Sequence, residues 1–238
     1  MTARTAQLTK ATYLPRTIGR QQVYRTAKRA LDVSVALVLL LLLAPLMVVI
    51  ALAVMLDSPG PAIFRQQRVR GNQKPSDGDP ASRTFTFFKF RSMRHDADPG
   101  IHQRFVQRLI RVGDSAPKQD NGLYKLANDP RVTRVGRILR ATSLDELPQL
   151  FNVLRGDMSL VGPRPAMPYE VAKYRRWHRR RLEAPAGLTG LWQVSGRNRL
   201  SFDQMVRLDN QYVQNRSLRR DLAILVKTIP VVLGHTGC

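Results

Sequence analysis

The chain has 238 residues, the size of one ordinary domain, and carries 39 Lys and Arg against 17 Asp and Glu, a formal charge of +22. So large an excess calls for an anionic partner, whether nucleic acid, anionic lipid headgroups or phosphorylated substrates. The only cysteine is Cys238, which excludes an intrachain disulfide and any need for an oxidising compartment.

Residues 1–27 read as a flexible basic arm, without the apolar core and cleavage site of a signal peptide. From Val33 to Leu56 the sequence VSVALVLLLLLAPLMVVIALAVML carries no charge and only Ser34 as a polar side chain. A soluble helix would show a polar face; this one has none and reads as a membrane segment rather than a buried core helix. As a straight helix it would be roughly 36 Å long, enough to cross a hydrocarbon core of about 30 Å. Pro45 at its middle removes a helical hydrogen bond and bends the axis. Both flanks are basic, with Arg25, Lys28 and Arg29 before it and Arg65, Arg68 and Arg70 after it. Basic flanks favour the cytoplasmic side, so both ends are drawn to one face. The residues alone leave two forms open, a re-entrant helix over 28–57 and a Pro-kinked spanning helix.

Asp57–Pro61 (DSPGP) is turn chemistry, and residues 71–83 read as an exposed loop. Thr84–Phe90 (TFTFFKF) predicts a short strand. Residues 101–112 predict an amphipathic helix with Arg104, Arg108 and Arg111 on its polar side. Arg131, Arg134, Arg137 and Arg140 recur every third position. Leu147–Leu154 predicts a helix with Leu147, Leu150, Phe151 and Leu154 on one face, and residues 169–183 a very basic one. Leu222–Leu233 is apolar but too short to span. The expected fold is helix-rich α/β: a membrane helix and a compact cytoplasmic domain over 58–238, with short strands and interfacial amphipathic helices.

Few acidic residues lie in the ordered, basic-rich sequence, and the pair Asp145–Glu146 stands out. It sits where a loop enters a helix, a place that favours an ionised carboxylate. An ionised Asp can attack phosphorus, and an adjacent Glu can hold Mg²⁺ against diphosphate charge. Ser143 to Glu146 also fits the capping-box pattern S-x-x-E, which needs no catalysis. Arg164 lies between two prolines, Pro163 and Pro165, which suits rigid presentation to a phosphate; an ordinary turn fits equally. Residues 187–198 (GLTGLWQVSGRN) combine glycines with Trp192 and Arg197, readable as a ligand-approach loop or as a loop over a core tryptophan. Lys89 and Arg91 add positive charge beside the strand. His95, His102, His178 and His235 show no metal-ligand spacing and read as surface or core residues.

In chain order these segments resemble the bacterial sugar transferase family, the monotopic phosphoglycosyl transferases. The resemblance rests on KRALD (28–32), Ala44–Pro45, DSPGP (57–61), KFRSM (89–93), TSLDELPQL (142–150), LVGPRP (160–165) and GLTGLWQVSGRN (187–198). It implies a re-entrant helix that places the catalytic domain on the cytoplasmic face of the bacterial inner membrane. It implies that Asp145 is the nucleophile toward a UDP-sugar, with UMP released and the sugar phosphate passed to undecaprenyl phosphate. It implies Mg²⁺ at Glu146, and phosphate or nucleotide binding by Arg140, Arg164, Arg197, Lys89 and Arg91. The partners expected are then a UDP-sugar, undecaprenyl phosphate and anionic membrane lipids, with no nucleic acid. Exopolysaccharide initiation from a hexose donor is the expected role, and the sequence reads as a minimal-length member, without a multi-helix membrane domain before the core. A basic membrane-anchored nucleic-acid binder or a non-catalytic adaptor would explain the charge but not the acidic pair.

Overall fold

The longest element is one unbroken helix, α1 (Ile18–Asp57), which begins ten residues before the expected start and continues through Pro45. The computed structural model describes residues 18–73, 78–98, 100–116 and 129–234; the basic arm over 1–17, the middle of the 71–83 loop, His235 and Cys238 lie outside them. The α1 sequence is long and apolar enough to cross a membrane. Lys28, Asp32, Ala36, Leu40, Ile50 and Val54 are buried, and Leu43 and Met47 between them are half-buried. This spacing of three or four residues is one helix face turned to the rest of the protein. The opposite face carries exposed Leu41, Leu42, Val48, Val49 and Leu56.

The two ends of α1 are fastened by different chemistry to the same body. Near the start, Lys28 and Tyr24 donate to the Asp221 carboxylate at 3.1 and 3.0 Å, and Asp32 accepts the Leu160 N–H at 3.1 Å. At the finish, Asp57 accepts the Val135 N–H at 2.9 Å. Arg91 donates to the carbonyls of Val54, Ser58, Pro59 and Gly60, closing the helix C-terminus.

After α1, β1 (Ile63–Val69) and β2 (Thr84–Phe90) form an antiparallel hairpin, with Ile63 opposite Phe90 and Val69 opposite Thr84. Alternation along β2 buries Phe85 and Phe87 on one face, while Phe90, on the other, is buried in a separate cluster with Ile50, Val54 and Leu139. The amphipathic segment is α2 (Gly100–Val112), with Arg104, Arg108 and Arg111 exposed and Ile110 buried. Next come α3 (Arg134–Thr142), a single 3₁₀ turn at Leu144–Glu146, and α4 (Gln149–Arg155). The expected face of α4 is corrected: Leu150 and Val153 are inside, while Phe151 is 49% exposed. Asn152 takes the inner place, because its amide bonds Thr86 O and Phe88 N on β2.

Then β3 (Ser159–Val161) runs parallel to β4 (Gly187–Thr189). Between them, the basic stretch is α5 (Pro168–Val171), α6 (Arg176–Arg179) and a 3₁₀ turn, not one helix. The break falls at extended Arg175, whose N–H is captured by His178 Nδ1 at 3.2 Å. The chain closes with α7 (Leu191–Ser195), α8 (Phe202–Gln214) and α9 (Leu218–Leu233). The main core joins Ala36 and Leu40 of α1 to Phe85, Phe87, Leu150, Val153, Leu160, Tyr212 and Ile224. The apolar C-terminal stretch divides its faces: Ile224 is buried, and Leu222, Val226 and Ile229 are exposed.

Candidate active site

Two sequence motifs are brought together by backbone pairing. The β3–β4 ladder lays LVGPRP beside GLTGLW, and Gly162 N donates to Thr189 O at 2.9 Å. A Cβ on Gly187 would lie 2.1 Å from Gly162 N, so only glycine permits this approach. Arg164 leaves β3 and α7 leaves β4 toward one cavity of about 280 Å³. The same cavity is lined by Asp145 and Glu146, by Arg140 from α3, and by Lys89 from β2. Arg197, just beyond α7, lines it too.

Asp145 and Glu146 do not close a capping box. Ser143 ends α3 in the left-handed region (φ 60°) and its side chain caps nothing. Its hydroxyl instead accepts from Arg197 at 3.2 Å. Asp145 lies in the first turn of the 3₁₀ helix Leu144–Glu146, four residues before α4 starts at Gln149. Its charge is balanced by side chains. Asp145 is 8% exposed. Burial and the neighbouring Glu146 push its carboxyl up to about 6, against the opposing pull of Lys89, Arg140 and Arg164. Glu146 faces Arg164 at 3.6 Å, longer than a hydrogen bond.

The cations feel one another. Burial, then Arg68, Arg140 and Arg164, push the Lys89 ammonium down to about 8, although Asp145 holds it up. Burial lowers Arg197, while Glu146 opposes the shift. Concentrated positive charge around one buried carboxylate pair suits a diphosphate.

Of the four arginines spaced by three, only Arg140 lines the cavity; Arg131 is ion-paired with Asp129 at 2.6 Å, and Arg134 and Arg137 are exposed. Arg91 is not among the residues that line the cavity. The strand ends at Phe90, so alternation no longer governs Arg91, and its guanidinium turns to the carbonyls at the end of α1.

Sequence reasoning missed Arg68, His102 and Gln193. Arg68 is 4% exposed, donates to Pro165 O at 3.0 Å and lies 5.0 Å over the Phe87 ring. Burial and then Arg164 push it down to about 10. His102 lines the cavity from α2, and burial, then Arg68, Arg164, Lys89 and Arg131, push it down to about 4. It is a neutral imidazole among cations. Gln193 lies inside the recognised motif but gave no separate signal.

Among the described residues no three His, Cys, Asp or Glu side chains gather as a metal cluster. Two adjacent carboxylates nonetheless fit Mg²⁺, which is usually held by one or two carboxylates plus substrate phosphates and water.

Comparison with known proteins agrees with this geometry. The bacterial sugar transferase family matches residues 23–235. The exopolysaccharide production protein ExoY of Sinorhizobium fredii is 38% identical over 238 residues, 100% of this chain and 99% of the relative. An undecaprenyl-phosphate galactose phosphotransferase of Salmonella typhimurium is 44% identical over 213 residues, 90% of this chain. The chain spans only 42% of that relative's length. A UDP-glucose:undecaprenyl-phosphate glucose-1-phosphate transferase of Caulobacter vibrioides is 42% identical over 215 residues, 87% of this chain and 69% of the relative. With the family matched over nearly the whole chain and four of the ordered motifs meeting at one cavity, this protein belongs to the bacterial sugar transferase family.

Proposed function

We propose that the protein transfers a hexose-1-phosphate from a UDP-sugar to undecaprenyl phosphate, as the first membrane step of exopolysaccharide or a related glycan. The observation that carries this reading is a nearly buried carboxylate, Asp145, in a cavity ringed by Lys89, Arg140, Arg164, Arg197 and Arg68. Relatives named for galactose and glucose transfer to undecaprenyl phosphate support the substrate class.

In the first step an Asp145 carboxylate oxygen attacks the sugar-bearing phosphorus. The bond from that phosphorus to the bridging oxygen breaks, and UMP leaves with that oxygen. The sugar phosphate is then held as an aspartyl phosphate, a mixed anhydride with the Asp145 carboxyl. In the second step a phosphate oxygen of undecaprenyl phosphate attacks the same phosphorus. The Asp145–phosphorus link breaks, the carboxylate is restored, and undecaprenyl diphosphate sugar forms. Arg140, Arg164, Arg197 and Lys89 hold the phosphate oxygens and match the charge that builds on them. Mg²⁺ held by Glu146, with Asp145 beside it, would neutralise diphosphate charge.

Helix α1 is re-entrant in this reading, and the domain sits on the cytoplasmic face of the inner membrane. A spanning helix would separate its ends by a hydrocarbon core of about 30 Å. Here both ends are fastened to one body, and both flanks are basic. Positive charge then meets anionic lipid as well as substrate.

The test is UMP release from a panel of UDP-sugars, with full-length protein in lipid, Mg²⁺ and undecaprenyl phosphate. Wild type is expected to release UMP from a hexose donor, and Asp145→Asn to fall to background. Undiminished release by Asp145→Asn would overturn the covalent route. Absence of release by folded wild type from every donor would return the adaptor and nucleic-acid readings.

A further inference from the structure

Two uncharged side chains that line the cavity each keep an unpaired buried polar atom, beside the Nε atoms of the cations Arg68 and Arg181. Trp192 and Gln193 both line it, at 7% and 8% exposure. The indole Nε1 and the Gln193 Oε1 have no hydrogen-bond partner among the described residues. Nearly all buried polar groups in folded proteins are paired, so two orphans side by side in a cavity point to a ligand. Gln193 Nε2 is turned to Leu188 O at 3.4 Å, which leaves Oε1 as the atom without a partner. A Cβ on Gly190 would lie 3.3 Å from that oxygen, so glycine there keeps room for the amide.

The chemistry of the pair narrows the ligand. An amide oxygen accepts only and repels a phosphate oxygen, so it must face a donor. An indole N–H donates only and must face an acceptor. The indole is fixed as a donor, and the Gln193 amide is set as an acceptor by its Nε2 contact to Leu188 O. A fixed acceptor beside a fixed donor discriminates best against a group whose own pattern is fixed. Sugar hydroxyls both donate and accept and would satisfy almost any pair. A pyrimidine ring does not: the uracil edge offers N3–H as donor and O4 as acceptor, and cytosine offers the reverse. Phe202 and Met205 line the same cavity and supply apolar surface for a flat ring.

We infer that Trp192 and Gln193 read the uracil of the donor nucleotide, Gln193 Oε1 accepting from N3–H and Trp192 Nε1 donating to O4. The inference rests on the UDP-sugar reading above. One segment then serves both ends of the donor. Trp192 and Gln193 hold the base, and Arg197 four residues on, hydrogen-bonded to Ser143, faces the phosphates.

The test compares binding of UMP and CMP to full-length protein in lipid nanodiscs by calorimetry. Wild type is expected to prefer UMP by about 100-fold, because cytosine would set donor against donor and acceptor against acceptor. Gln193→Leu and Trp192→Phe should each cut that preference about tenfold. Pyrophosphate, which needs only the cations, should bind both variants within about twofold of wild type and so report a folded site. An unchanged UMP-to-CMP ratio in both variants would overturn the assignment. So would a loss that varies with the sugar while that ratio stays fixed, which would move the pair to the hexose. If Asp145-dependent UMP release persists in either case, only this inference fails. If wild type binds no UMP and releases none, the UDP-sugar reading fails with it.

Discussion

Ser143 and Arg197 both hold left-handed backbone, at φ 60° and 49°, and the guanidinium of one donates to the hydroxyl of the other at 3.2 Å. Each such non-glycine residue stores of order 1–3 kcal/mol and persists only where its surroundings fix it. Here the hydroxyl holds Arg197 beside the turn that carries Asp145. Ser143→Ala is expected to lower kcat/KM for UMP release about tenfold with little change in apparent Tm. Ser143→Gly relieves the backbone and should hold or raise Tm while losing the same activity. Equal activity in both variants and wild type would show that Arg197 needs no such support.

Arg91 and Arg164 separate structural from functional positive charge. Arg91 is 3% exposed and donates to several carbonyls at the end of α1, whereas the Arg164 side chain is 43% exposed at the cavity. Arg91→Ala leaves buried carbonyls without their charged donor, a loss of about 2–4 kcal/mol or more. It should lower Tm and folded yield, with near-normal turnover per folded molecule. Arg164→Ala should leave Tm within about 1 °C and cut kcat/KM about 100-fold, the scale of losing one transition-state donor. Thermal scanning in lipid alongside UMP release reads both. The opposite pattern would reverse the two roles.

The sequence displayed most of what is local. The apolar run, the alternation of β2 and the amphipathic pattern of α2 each follow from side chains a few positions apart, and each element formed. The ordered motifs also marked Asp145, Glu146, Arg140, Arg164, Arg197 and Lys89, which all line one cavity. Features set by distant partners were not legible. Arg91 follows the same charge pattern as Lys89, yet the strand stops between them. Asn152 displaces Phe151 from the core because β2 offers it backbone partners. One local feature also escaped: the basic stretch over 169–183 breaks where His178, three residues on, captures the Arg175 N–H. Arg68 reads as one more flanking cation until Pro165 and Phe87 are seen around it.

His102 gives a pH signature. Its imidazole is held down to about 4, against about 6.5 for an unfolded chain, by burial and by Arg68, Arg164, Lys89 and Arg131. Between those values the unfolded chain binds a proton that the folded protein does not. Stability from this group is therefore complete above pH 6.5 and falls as pH drops toward 4. His102→Gln removes the group from both states. Tm against pH from 7.5 to 5 should decline more steeply for wild type than for His102→Gln. Parallel curves would mean that His102 titrates freely and does not face the cations.

The base of α1 gives the last prediction. Asp221 is fully buried and accepts from Lys28, Tyr24 and Tyr212 at 3.1, 3.0 and 2.7 Å. Lys28 is 5% exposed, and its other carboxylate, Asp32, is 3.9 Å away. Removing Asp221 alone strands a buried ammonium, at about 3–5 kcal/mol. For a chain of this size that is a fall in Tm of roughly 10 °C. Replacing both partners with apolar residues removes the stranded ammonium but also takes Lys28 from Asp32, so Lys28→Met with Asp221→Leu should recover only part of the loss. The same cluster reaches the site, because Tyr212 also donates to Val161 O and Asp32 accepts the Leu160 N–H, both on the strand that leads to Arg164. Asp221→Asn should therefore lower kcat/KM at temperatures where the protein is still folded. A double variant no more stable than the single one would show that these four residues do not act as a unit. Normal turnover in folded Asp221→Asn would show that the anchor of the membrane helix and the Arg164 loop are independent.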